Sequence, residues 1–175
     1  MRNPVNRELT ERLGAIGLPE CHLTAGCLFQ ATWNRGSGRA PDWGIKDYDV
    51  FYFDDSDLSW EAEDGVIRRV QAQVADLGVT VEVKNQARVH LWYAQHFGVD
   101  YPQLRSARDG IDRYLIACTC VGLETASGAL YAPHGLDELE TGLLRINPTH
   151  PVPHLFEAKA HSYQARWPWL TIVPP

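Results

Sequence analysis

Gly44-Ile45-Lys46-Asp47-Tyr48-Asp49-Val50-Phe51-Tyr52-Phe53 is the stretch from which the rest of the chain can be read. Two carboxylates two residues apart, followed at once by apolar and aromatic residues, mark the start of a buried β-strand. Successive strand side chains alternate faces, so Asp47 and Asp49 point the same way, about 7 Å apart at their backbones. Two like charges side by side are costly to bury unless a counter-charge sits between them. A pair of divalent cations about 4 Å apart, shared by the carboxylates, is the usual functional solution, and it points to metal-dependent phosphate chemistry. The plain alternative is an ordinary strand start with solvated acids.

The surrounding 175 residues are 45% hydrophobic and 22% charged, enough for one domain with a full core and a C-terminal helical segment. A formal net charge of −6 argues against a long, non-specific nucleic-acid surface, which would be basic. It leaves room for a nucleotide site, because bound Mg²⁺ supplies local positive charge. Cys21, Cys27, Cys118 and Cys120 form no Cys-x-x-Cys pair, and Cys118 and Cys120 alternate as if along a strand. Reduced core thiols are expected rather than a zinc site or disulfides. No stretch has the length of a membrane span or the pattern of a signal peptide, so no membrane partner and a cytoplasmic location are expected.

Outward from the acidic strand, the pattern predicts a helix over Pro4 to Ile16, stopped by Gly17-Leu18-Pro19. A short strand over Leu23 to Gly26 and a short helix over Cys27 to Asn34 follow, then a loop from Arg35 to Trp43. The acidic strand runs from Tyr48 to Phe53, and Asp54, Asp55 and Asp57 read as a turn and helix cap. Ser59 to Leu77 is the clearest helix, capped by Ser59, with Glu61, Glu63 and Asp64 at the positive end of its dipole. Val79 to Val83 alternates as a strand, with Glu82 facing away from the three valines. Helices over Gln86 to Phe97 and Ala107 to Leu115, a hairpin from Ile116 to Tyr131, and a helix over Pro153 to Trp167 complete the expectation.

Three elements converge on one chemistry. If the Asp47–Asp49 and Glu82 strands are neighbours, three carboxylates share one end of a sheet face and form a Mg²⁺ site open to water and phosphate. Gly26, at a strand-to-helix step, allows close approach of backbone to a phosphate, and amides opening the Cys27 helix can face that anion. Lys84 lies two residues from Glu82, hence on the same face, where it can neutralise phosphate. Lys46, Arg88 and Arg113 have the same capacity but read more simply as surface charges or structural ion pairs. Lys159 and Arg166, seven apart, share a helix face that can also reach the cleft. Trp33, Trp92, Trp167 and Trp169 read as packing residues, and the histidines show no metal-binding spacing.

At Ala25-Gly26-Cys27, Asp47-Tyr48-Asp49-Val50 and Val81-Glu82-Val83 the chain resembles the DNA polymerase β-like nucleotidyltransferase superfamily. More closely, it resembles a bacterial family of uncharacterised nucleotidyltransferase-like proteins. That likeness also rests on Trp33-Asn34, Asn85-Gln86-Ala87-Arg88, Ala132-Pro133-His134-Gly135-Leu136 and Arg166-Trp167-Pro168-Trp169-Leu170. The resemblance implies an α+β fold, a nucleotidyltransferase-like mixed β-sheet flanked by helices. It implies that Asp47 and Asp49 bind two Mg²⁺ ions, that Glu82 completes the metal site, and that Gly26 contacts the triphosphate. The substrate would be a nucleoside triphosphate; the acceptor would be a small molecule, a protein side chain or a short RNA end. Two departures stand out: Cys27 replaces the Ser that commonly holds a phosphate, and the Gly26-to-Asp47 stretch is long. A non-catalytic nucleotide- or partner-binding domain and a metal-dependent phosphoesterase are the alternative readings.

Overall fold

The computed structural model describes residues 3–174, the side chain of Phe97 excepted. The chain runs α1 (Pro4–Ile16), β1 (His22–Thr24), α2 (Gly26–Gly36), β2 (Tyr48–Tyr52), α3 (Trp60–Val74) and β3 (Val81–Asn85). It continues through α4 (Tyr93–Phe97), α5 (Ala107–Ile111), β4 (Gly122–Glu124), β5 (Leu130–Tyr131), α6 (Asp137–Thr141), β6 (Leu143–Leu144), α7 (Pro153–Arg166) and β7 (Thr171–Ile172). The main sheet has the order β3-β2-β1-β4-β5, parallel only between β2 and β3. A parallel pair needs a crossover, and α3 provides it. This is the expected mixed sheet flanked by helices.

Alternation along β2 decides which face is dry. Tyr48, Val50 and Tyr52 are buried and join Val81 and Val83 of β3. They pack against Leu9 and Leu13 of α1 and Val70 and Val74 of α3. Asp49 and Phe51 therefore point to the opposite face. There a second cluster forms from Phe29 and Trp33 of α2, Phe156, Ala160 and Tyr163 of α7, and the following Trp167. Trp33 and Trp167 lie edge to face at 5.3 Å, and the Trp167 indole donates to Asn34 Oδ1 at 2.8 Å. A buried indole with its N–H satisfied carries its apolar area into the core without an orphaned donor.

Several boundaries differ from the expected ones, for physical reasons. Ser59 does cap α3, accepting from the Ala62 amide, but the helix ends at Val74 and tightens into a 3₁₀ turn before Gly78. The Glu82 strand starts later than Val79, because pairing with β2 begins where Tyr48 N donates to Thr80 O. The expected helix over Gln86 to Phe97 is split into a 3₁₀ helix, Gln86–Leu91, and α4. Asn85 Oδ1 accepts from the Ala87 amide, and Arg88 is drawn away to Glu63 and to Leu58 O. The helix at Ala107 ends at Ile111 rather than Leu115. Cys118 and Cys120 sit in and just after a 3₁₀ turn, Ala117–Thr119, rather than on a strand. All four cysteines are free and buried. Among the described residues no helix is long and apolar enough to cross a membrane.

Candidate active site

The turn from β1 into α2 is sharp, and its strain falls on Ala25 rather than on glycine: Ala25 has φ 59° and ψ −142°. For a residue with a Cβ that conformation costs about 1–3 kcal/mol and persists only where the surroundings enforce it. Gly26 opens α2 with ordinary helical geometry. Its missing side chain makes room for Gln30, whose Nε2 would lie 2.4 Å from a Cβ there. Gln30 Oε1 in turn accepts from the Arg166 guanidinium at 3.1 Å.

Across this turn lies a cleft of about 670 Å³. Asp47 and Asp49 line it, together with Ala25, Gly26 and Gln30 from the β1–α2 turn. Lys46, Lys84, Arg113, Lys159 and Arg166 also line it, so five cations share the cleft with two carboxylates in a protein of net charge −6. Asp49 pairs in register with Glu82 across the parallel ladder, and opposed residues share a face. Glu82 is exposed and is not part of the cleft lining. The Asp49 carboxyl is pushed up to about 7, chiefly by burial and then by Asp47 and Glu82, with Lys159 and Lys84 acting against them. Neither Asp47 nor Asp49 has a salt-bridge partner among the described residues.

The long segment after α2 folds against α7. Asn34 Nδ2 donates to Trp43 O and Pro41 O, Arg39 lies 3.7 Å over the Trp43 ring, and Arg166 donates to Gly44 O at 2.6 Å. Lys46 and Gly44 are thereby held at the cleft mouth beside Arg166.

A family model described as nucleotidyltransferase matches residues 11–172. The chain belongs to that nucleotidyltransferase family. The fold agrees: an NMR structure described as a CCA-adding enzyme head domain superposes with a TM-score of 0.77. The match covers 98% of this chain and 91% of that one at 23% identity. No curated protein matches.

In this nucleotidyltransferase the sequence-predicted residues separate into three groups. Asp47, Asp49, Gly26 and Lys84 come together in the cleft. Lys46, Arg113, Lys159 and Arg166, weighed only as possible phosphate partners, join them there. Cys27 does not: its thiol is fully buried and donates to Thr24 O at 3.0 Å, and burial pushes its ionisation well above the ordinary range. Arg88 also stays away, fixed in a buried ion pair with Glu63. Gln30, Gln86 and Tyr114 line the cleft without a sequence-based expectation, and Trp92, read from the sequence as a packing residue, lines it too. Gln30 is one helical turn from Gly26, and Gln86 continues the Glu82–Lys84 alternation, so both had a positional signal. Tyr114 reaches the site through a tertiary contact, its hydroxyl 3.1 Å from Thr24 Oγ1, and had none.

The donor set suits a hard cation. Among the described residues no three His, Cys, Asp or Glu side chains gather into a closed metal cage. Mg²⁺ does not need one, since it commonly takes one or two carboxylates and completes its octahedron with water and substrate phosphates. Two carboxylates lacking an ion-pair partner, one held from ionising chiefly by burial, fit that demand.

Proposed function

We propose that this nucleotidyltransferase moves a nucleoside monophosphate from a nucleoside triphosphate to an acceptor hydroxyl, with Mg²⁺ as its metal. The carrying observation is the cleft's charge pattern: two neighbouring carboxylates share one cleft with five cations in an acidic protein. A triphosphate supplies negative charge for the cations, and its metal answers the carboxylates.

Asp47 and Asp49 would hold the metal ions, with Glu82, beside Asp49 in the ladder, as third carboxylate. When bound, Mg²⁺ would supply Lewis-acid polarisation of the α-phosphate and ease deprotonation of the attacking hydroxyl. The protein's residues supply position and field. Lys46, Lys84, Lys159 and Arg166 hold the phosphates, and the Gly26 backbone lets a phosphate approach α2 closely. The acceptor oxygen forms its bond to the α-phosphorus while the bond to pyrophosphate breaks, and the acceptor's proton passes to Glu82. Cationic side chains around the departing pyrophosphate stabilise the charge that develops there. The acidic surface favours a small molecule or a protein side chain as acceptor over a long nucleic acid.

Thermal melting with ATP, CTP, GTP and UTP, each with and without Mg²⁺, tests this reading. We expect a Mg²⁺-dependent rise in melting temperature for one or more nucleotides, absent from Asp47→Ala/Asp49→Ala. A ligand at one hundred times its Kd adds about 2.7 kcal/mol to native stability, so the shift is readily measured. No shift with any nucleotide overturns the reading.

A further inference from the structure

The cleft has a second end, unlike the cationic one. Phe51 stands opposite Lys84 in the ladder and meets the Tyr114 ring at 5.9 Å. Two residues past Lys84 is Gln86, only 2% exposed yet part of the cleft lining. Its Nε2 reaches Lys84 O at a long 3.4 Å, and among the described residues its Oε1 accepts no hydrogen bond. Gly110 makes room for that amide, since a Cβ there would lie 2.1 Å from Gln86 Oε1. Trp92 and Tyr93 continue the same wall.

A buried amide presenting one donor and one acceptor, set among aromatic rings, suits a planar heterocycle. Base edges offer an adjacent donor and acceptor to match Gln, and aromatic side chains stack on base faces. Position agrees as well. Asp49 and Phe51 are one two-residue step apart on one face of β2, and Gln86, which opens the 3₁₀ helix just past β3, lies one such step beyond Lys84, the partner of Phe51. Each step is about 7 Å, so the amide lies about a nucleoside's reach from the carboxylates. Resting on the nucleotidyl-transfer reading above, we propose that this end of the cleft is the nucleobase subsite of the triphosphate substrate. Gln86 is its specificity-determining residue.

Inorganic tripolyphosphate carries the charge of the substrate without its base and separates the two readings. Binding of Mg²⁺-tripolyphosphate and of the four Mg²⁺-nucleoside triphosphates is measured calorimetrically on wild type, Gln86→Leu and Gln86→Glu, with circular dichroism confirming the fold. Wild type should bind at least one nucleotide roughly tenfold or more tighter than tripolyphosphate. Gln86→Leu should remove most of the discrimination among bases and leave tripolyphosphate affinity unchanged. Gln86→Glu, which exchanges the amide donor for an acceptor, should change which base is preferred. Tripolyphosphate binding with no gain from any base overturns the subsite alone, as does an unaltered base preference in both variants. Failure of wild type to bind either ligand overturns the transferase reading, and the subsite with it.

Discussion

Asp49 is more costly charged than neutral as long as no metal ion sits beside it. Its carboxyl sits near 7 rather than 3.8, through burial first and then Asp47 and Glu82. Between those two values the folded protein holds a proton that the unfolded chain has released, so stability falls as pH rises through that window. Asp49→Asn should therefore melt at a higher temperature than wild type at pH 8 in EDTA, with the gap narrowing as pH falls and closing only near pH 4. The difference at pH 8 should be on the order of 2–4 kcal/mol, the worth of a shift of this size. Equal melting at pH 8 would show that Asp49 is not strained by its neighbours. The paired acids were legible because strand alternation is a property of sequence spacing. The fate of Cys27 was not, because the side on which α2 buries itself depends on α1: Asn6 Nδ2 donates to Cys27 O, while the thiol turns back to Thr24 O.

Elements meet through a carboxylate that the sequence assigned only to a helix dipole. Glu63, expected to serve the dipole of α3, is instead 4% exposed; it accepts from the Asn85 amide at 2.7 Å and pairs with Arg88. One carboxylate thus ties α3 to the end of β3, where the strand gives way to the 3₁₀ helix carrying Gln86. Removing one partner of such a pair leaves a buried charge unanswered, typically at about 3–5 kcal/mol. Urea denaturation should find Arg88→Met destabilised by that amount, and Glu63→Gln/Arg88→Met less so. A double variant as unstable as Arg88→Met would mean that lost packing, not the stranded charge, dominates. Helix and strand positions around this junction were readable from apolar periodicity. The break at Asn85 was not, because it depends on a side chain capping its own backbone and on an ion pair between distant segments.

The whole molecule is organised by α2, which gives Cys27 to one hydrophobic cluster, Phe29 and Trp33 to the other, and Leu28 to the contacts of both. A shared helix couples the clusters, so they should unfold together. Tryptophan fluorescence, weighted towards Trp33 and Trp167 in the second cluster, and far-UV circular dichroism should trace one coincident urea transition. An earlier fluorescence transition would show that the α7 side opens independently. The sheet side of this architecture was legible, since Val50, Val81 and Val83 announce themselves by alternation. The α2–α7 side was not, because α7 shows no clean apolar stripe and its packing depends on aromatic contacts between segments far apart in sequence.

The contact of Arg166 with Gly44 O and Gln30 Oε1 has a consequence in time. The carboxylates, the β1–α2 turn and Lys46 leave the ribosome early, whereas Lys159 and Arg166 are among the last cleft residues to be made. A nascent chain that has passed Asn85 can already pair β1, β2 and β3, yet the wall that would hold phosphate is still missing. Competence would then come late in synthesis, with the seating of α7. A message broken after Asn85 but before Arg166 would yield a chain with its acids in place and an incomplete cationic wall.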